Sequence, residues 1–403
     1  MSVEPYREIS FDKDGDGPPG QASELAALAR RGVGDLVVFA HGWNSSPSGA
    51  TRLCSDFFAP FPGLIAPGVE AGYAGVVWPS MMFSDEPVPD YRALVTVLPE
   101  KEPVIGRLTE LLAAAPAEES AFDEFGALLR ELTDVNADMG SAAVREPVPA
   151  FLVADPVAVC ALFTEALGGA GPVPPEGFLG GGPKRYWKGA KEALRQATYY
   201  VMKKRAGRVG EHGLGPLLGE VARTAPGLRV HLVGHSMGAR LVAHALRGLP
   251  AGARPVASVT LLQGAFSHYA FAARLPHDPR RSGSLRDLQH RVRGPVVACH
   301  SRHDTALGVM YPLASRLAND SDSLTGFPAG LLGTDDPRWG AIGHDGIRAV
   351  PGTVERTLAE VLREGVPGSG CVSVDAAETV RSHSDICRPE LARVVVSASR
   401  TGR

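Results

Sequence analysis

The stretch HLVGHSMGARLVAHAL, residues 231–246, decides the fold. It contains Gly-x-Ser-x-Gly, with Ser236 between Gly234 and Gly238. In a chain with 47 glycines among 403 residues the bare pattern is weak, and its surroundings give it weight. An apolar run, Val230–Val233, enters it, and a helical run, Ala239–Leu246, leaves it. A nucleophile on a tight strand-to-helix turn needs this arrangement. The serine takes a strained backbone conformation, and the residues two before and two after it come so close that side chains there would clash. Gly234 and Gly238 meet that demand. The start of the helix adds free backbone N–H groups and the positive end of its dipole. Ser236 is therefore the candidate nucleophile.

A second element lies upstream. DLVVFA, residues 35–40, reads as a buried strand that delivers the polar loop HGWNSSPSGA. Acyl transfer passes through a tetrahedral oxyanion that needs preorganised donors. One donor is expected from the N–H of Met237, the residue after the nucleophile. The other is expected from Trp43, whose N–H the turn at His41-Gly42 directs inward.

Working outward, further short apolar runs read as strands at Gly75–Trp78, 229–234, 255–265, 296–299 and 370–377. Helical patterns lie between several of them, the first at 50–61. Short continuous apolar strands alternating with helices predict a mostly parallel sheet covered on both faces. One stretch breaks the rhythm. Between the strand near 78 and the elbow, 104–115, 121–135 and 155–167 read as amphipathic helices, and 168–183 as a Gly/Pro-rich loop. The expected division is a core of residues 1–80 and 186–403, with 81–185 as a helical cap inserted over the sheet. The helix at 186–206 places Trp187, Ala190, Leu194, Ala197 and Val201 on one face and Lys188, Lys191, Arg195, Lys203 and Lys204 on the other. That pattern reads as a core-facing helix with a solvated side, in preference to a membrane-surface helix.

With VVFAHGW and VHLVGHSMGA in this order, each after a strand, the chain resembles the α/β-hydrolase superfamily, and GHSMG resembles its lipase and esterase members. The likeness covers the core and not the insertion. It implies a triad in the chain order Ser, acid, His. The acid then falls on Asp304, just past the strand at 296–299. No Asp or Glu follows the preceding strand at LLQGAFSHYA. Two histidines lie after Asp304. His383 follows the last strand and precedes a final helix near Pro389, which is the family's place for the base. His344, in WGAIGHDGIRAVPG, is the alternative. The long interval from Asp304 to His383 implies an excursion at about 306–368. In this fold the residue before the serine, His235, points away from the attack site, and the histidine of His-Gly, His41, buttresses its loop.

Composition excludes other classes. A formal net charge of −3 gives no electrostatic case for nucleic acid. No run approaches the length needed to span a bilayer. The first residues, MSVEPYREISFDKDGDG, are polar and acidic and do not read as a secretory signal. Five scattered cysteines (Cys54, Cys160, Cys299, Cys371, Cys387) show no C-x-x-C and fit thiols in a reducing cytoplasm. His290, His300 and His303 lack a helical pair with a carboxylate, so no metal is expected, and no organic cofactor is required. The expected activity is serine hydrolysis of an acyl bond, foremost a carboxylic ester with an apolar part. Thioester, amide and acyl-transfer chemistry at the same site stay open. So does a binding protein on a retired hydrolase core.

Overall fold

The structure is a computed structural model, and it describes residues 1–43, 45–80, 88–135, 149–168, 183–304, 307, 338 and 340–402. The chain divides into two compact units, one of Met1–Ser80, Lys203–Tyr311 and Gly340–Arg403, the other of Met81–Met202 and Pro312–Trp339.

The first unit is built on eight strands: β1 Tyr6–Ser10, β2 Asp35–Ala40, β3 Ala71–Val77, β4 Arg229–His235, β5 Val256–Leu262, β6 Pro295–His300, β7 Val354–Thr357 and β8 Gly370–Asp375. They form one sheet in the order β1-β3-β2-β4-β5-β6-β8-β7, and every pairing is parallel. Its helices include α1 Gln21–Arg30, α2 Pro47–Phe58, α7 Gly215–Thr224, α8 Met237–Gly248, α9 Leu358–Glu364 and α10 Pro389–Ser399, while α3 Glu102–Ala114, α4 Glu119–Leu132 and α5 Pro156–Gly168 belong to the second unit. Helix α6, Trp187–Arg208, runs from the second unit into the first.

Burial on both faces explains the uninterrupted apolar strands. In β2 every residue is buried. Val37 and Phe39 join a cluster with Cys54, Phe57 and Phe58 of α2 and Leu391, Val394 and Val395 of α10. Leu36, Val38 and Ala40 alternate to the opposite face. Phe39 stacks on Phe57 at 4.3 Å between ring centroids, and Phe61 and Tyr73 extend this aromatic block. Burying such rings contributes both area and ring–ring attraction.

The two edge strands, β1 and β7, carry no apolar run. YREIS has one buried residue and VERT has none. Each is half-exposed at a sheet edge, so its side chains alternate with polar ones and leave no buried-strand signature. Helix α2 begins three residues before the apolar pattern does, because Ser46 caps it by accepting from Gly49 N at 3.1 Å and Pro47 opens its first turn.

The described part of the second unit is helical, and its core explains the amphipathic patterns. Leu108 and Leu111 of α3 and Phe122, Phe125 and Leu129 of α4 are buried. Trp187 stacks on Phe122 at 4.5 Å and donates its indole N–H to the Pro116 carbonyl at 2.8 Å. Helix α6 differs from the two-faced reading. Glu192, Gln196 and Thr198 are buried along with Trp187, Ala190, Leu194 and Ala197, while Lys188 is exposed and Lys191, Arg195, Lys203 and Lys204 are half-buried. The buried polar groups compensate one another in part: Gln196 Nε2 donates to Glu192 Oε1 at 2.6 Å. The Gly/Pro-rich loop read at 168–183 lies almost wholly outside the described residues. Among the described residues no helix is long and apolar enough to cross a membrane.

Candidate active site

The candidate site lies within the first unit, at the C-terminal ends of β2, β4, β6 and β8. Strand β4 sits at the centre of the sheet and ends at His235, and α8 starts at Met237. Ser236 alone makes the turn, at φ 56° and ψ −118°. A non-glycine residue pays strain for that conformation, and its main chain is pinned in return. Its N–H donates to Leu262 O at 3.0 Å, and its carbonyl accepts from Ala239 N at 3.1 Å and Ala265 N at 3.0 Å.

The glycines are required by space. A Cβ on Gly238 would lie 2.1 Å from the Ala40 carbonyl oxygen, and one on Gly234 would lie 2.4 Å from the Gly238 carbonyl oxygen. These distances are far inside van der Waals contact, so the elbow closes only without side chains there.

Three residues predicted from sequence meet in a hydrogen-bonded chain. Ser236 Oγ lies 2.8 Å from His383 Nε2, and His383 Nδ1 lies 2.7 Å from Asp304 Oδ2. A carboxylate only accepts, so the His383 proton is on Nδ1 and its Nε2 lone pair faces the serine hydroxyl. Asp304 is fully buried, and its other oxygen accepts from Leu307 N at 3.0 Å. The loops that carry Asp304 and His383 are tied to each other. Ser301 Oγ donates to Val380 O at 2.8 Å, and Ala376 N donates to His300 O at 2.9 Å.

His344 is not part of this chain. It sits on a short helix, Ile342–Asp345, fixed by Gly343 N to Gly264 O at 3.0 Å and by Ser301 N to Gly343 O at 3.1 Å. Its Nδ1 pairs with Asp345 Oδ1 at 2.8 Å, and Asp345 Oδ2 pairs with His268 Nδ1 at 2.9 Å. The Asp345 bond raises the His344 pKa above its ordinary value. Burial pushes the Asp345 carboxyl up, but the bonds from His268 and His344 outweigh it and hold the group below the usual carboxylate range.

The loop after β2 approaches the serine closely. A Cβ on Gly42 would lie 2.9 Å from Ser236 Cβ. His41 braces this loop: its Nδ1–H donates to Gly42 O at 2.8 Å, and its own carbonyl accepts from Trp78 Nε1 at 3.0 Å. Burial pushes the His41 pKa down to about 4, against the Gly42 bond, which raises it. Trp43 follows in the same loop. Met237 opens α8, so its N–H is one of the donors that the helix itself cannot satisfy.

His235 is the residue the sequence reading underrated. Its Nε2 lies 2.8 Å from the His383 carbonyl oxygen, and the two rings are 5.0 Å apart. It does not simply point away from the site; it touches the residue that holds the serine. Burial first, then the neighbouring His383, pushes its pKa down to about 3. Nothing in the local pattern announces this contact, because it joins residues 148 positions apart.

His290, His300 and His303 do not gather. His303 Nε2 pairs with Arg381 Nη1 at 3.1 Å, and His300 is desolvated at the end of β6. Among the described residues no group of three or more His, Cys, Asp or Glu side chains is arranged to hold a metal. All five cysteines are free thiols, four buried and Cys387 exposed.

Residues 189–309 match the family described as alpha/beta hydrolase of unknown function (DUF900). The matched segment runs from α6 through the elbow and β5 to the loop after β6. It holds Ser236 and Asp304 and stops short of His383. No curated protein and no solved structure matches the chain.

Proposed function

We propose that this chain, which belongs to the α/β-hydrolase superfamily, is a serine hydrolase that cleaves an acyl bond, foremost a carboxylic ester. The observation that carries this reading is the continuous chain from Ser236 Oγ through His383 to Asp304, with bonds of 2.8 and 2.7 Å. His383 Nε2 takes the serine proton as Oγ attacks the carbonyl carbon. Buried Asp304 stabilises the imidazolium and keeps the ring in the right tautomer. The N–H groups of Met237 and Trp43 hold the oxyanion. His383 then protonates the leaving alcohol, and the acyl-enzyme on Ser236 is resolved by a water that His383 deprotonates. The closeness of Gly42 to the serine Cβ supports a role for its loop in the oxyanion hole.

The test is covalent. A fluorophosphonate probe should label Ser236, and Ser236→Ala should remove both labelling and p-nitrophenyl ester turnover. Labelling that persists in Ser236→Ala would place the nucleophile elsewhere. A protein that is neither labelled nor active would favour a binding role on a retired core.

A further inference from the structure

Two consecutive residues at the end of β4 hold His383 from two sides. Ser236 Oγ meets the ring at Nε2, and His235 Nε2 meets the main-chain carbonyl at 2.8 Å. A carbonyl only accepts, so His235 is the donor and carries its proton on Nε2. His235 belongs to a strand paired on both sides, with β2 and β5. His383 belongs to the irregular segment between β8 and α10. A rigid element thus offers a fixed donor to a residue that no repeating structure holds. The segment's other bonds include Ser301 Oγ to Val380 O, Asp385 Oδ2 accepting from Arg381 N at 3.1 Å, and Asp385 N to Ser382 O at 3.2 Å, which closes a turn around His383 without bonding its carbonyl.

The His235 ring also stands behind the oxyanion loop. Its Nδ1 lies 3.1 Å from where a Gly42 Cβ would be. The bare Cα of Gly42 makes room for it. With a pKa near 3 the ring stays neutral at working pH, so it does not oppose the positive charge that His383 acquires when it takes the serine proton.

We propose that His235 is a positioning residue for the base: by gripping the main chain of His383 it sets the distance from His383 Nε2 to Ser236 Oγ. This rests on the reading of His383 as the base. The histidine of Gly-His-Ser-Met-Gly is then part of the machinery, and a misplacement of His383 by an ångström costs up to about 100-fold in rate.

The experiment compares wild type with His235→Gln, His235→Asn and His235→Leu. The Gln amide reaches the place of Nε2 and keeps a donor there; the Asn amide ends one bond short; Leu fills the volume without a donor. His235→Leu and His235→Asn should lose roughly 10- to 100-fold in kcat on p-nitrophenyl esters, with KM near wild type. His235→Gln should regain most of kcat. A donor-less variant with wild-type kcat would overturn the proposal, and so would equal loss in all three, which would mean packing alone. Imidazole NMR supplies a readout independent of turnover. The His383 ring signals should shift in His235→Leu and stay put in His235→Gln; unchanged signals in His235→Leu would refute the grip. If the wild type neither turns over esters nor takes the covalent probe, the functional reading fails, and the NMR comparison still decides whether His235 holds His383.

Discussion

Lowering the pH from 7 to 5 should destabilise the first unit through two buried histidines. An unfolded histidine titrates near 6.5, whereas folded His41 and His235 titrate near 4 and 3 because burial disfavours their charged forms. Between these values the unfolded chain binds protons that the folded chain refuses, so stability is full above 6.5 and falls as the pH drops. At pH 5 both folded rings are still neutral, while the unfolded ones are almost fully charged. Each ring then costs about 2 kcal/mol relative to pH 7, and the pair about 4 kcal/mol. That is a large part of the 5–15 kcal/mol typical of a domain. His231 and His300, also lowered by burial, act in the same direction. His344, raised by Asp345, acts in the opposite one and gains stability as the pH falls. The isolating perturbation is therefore His235→Gln, which removes one titrating ring and leaves the others. Urea unfolding followed by circular dichroism at pH 7 and pH 5 should show the wild type losing about 2 kcal/mol more than the variant. Identical pH dependence in the two proteins would refute the reasoning, because it would mean that His235 is protonated as readily folded as unfolded.

Other outcomes are equally specific. His383→Ala should lower kcat by several orders of magnitude, whereas His344→Ala, outside the hydrogen-bonded chain, should lower it far less; steady-state kinetics on one ester decides, and a reversed ranking would move the base to His344. Gly42→Val should lower kcat by roughly 100- to 1,000-fold while the protein still folds, since its side chain would press on Ser236 and one lost oxyanion donor costs roughly 3–4 kcal/mol; a folded variant with normal kcat would remove the loop from the mechanism. Asp35, buried between Arg229 and His231 with bonds of 2.7 and 2.8 Å, should cost roughly 1–3 kcal/mol when changed to Ala, because the buried His231 ring loses its hydrogen-bond partner; chemical denaturation without loss in kcat checks this. A p-nitrophenyl series should show kcat/KM rising from acetyl to medium-chain esters, as each buried CH₂ adds roughly 0.8 kcal/mol; a flat series would reject an apolar acyl site.

The central strands were legible because they are buried on both faces, so VVFA of β2 is wholly apolar and VHLV of β4 is interrupted only by His231, which is buried with its partner Asp35. Ser236, Asp304 and His383 were legible for a related reason: each follows a strand end, and the sheet brings those ends together. What local pattern could not carry was long-range pairing. The edge strand VERT looks like solvated loop until its neighbour β8 is known. The trio His268, Asp345 and His344 joins a loop after β5 to a one-turn helix 77 residues away. His235 shows no signal of its grip on His383, and the burial of Glu192 and Gln196 is invisible in a helix whose sequence alternates charge and alanine.

The adjacency of β6 and β8 has a consequence in polymer terms. These strands pair directly, Pro295 opposite Gly370 and His300 opposite Asp375, although residues 301–369 lie between them. Within that stretch β7 joins the same sheet, so the ring closed between β6 and β7 is residues 301–353, and the entropy of closing a flexible ring grows only with the logarithm of its length, by about 0.6 kcal/mol for each doubling. The same holds for the stretch between β3 and β4, since β2 bridges them. The two places where the chain carries its longest excursions are thus the two where added length costs least. Segments there can lengthen, shorten or be replaced over evolutionary time while Asp304, His383 and Ser236 stay in register, clamped by strands that do not register how far the chain has travelled between them.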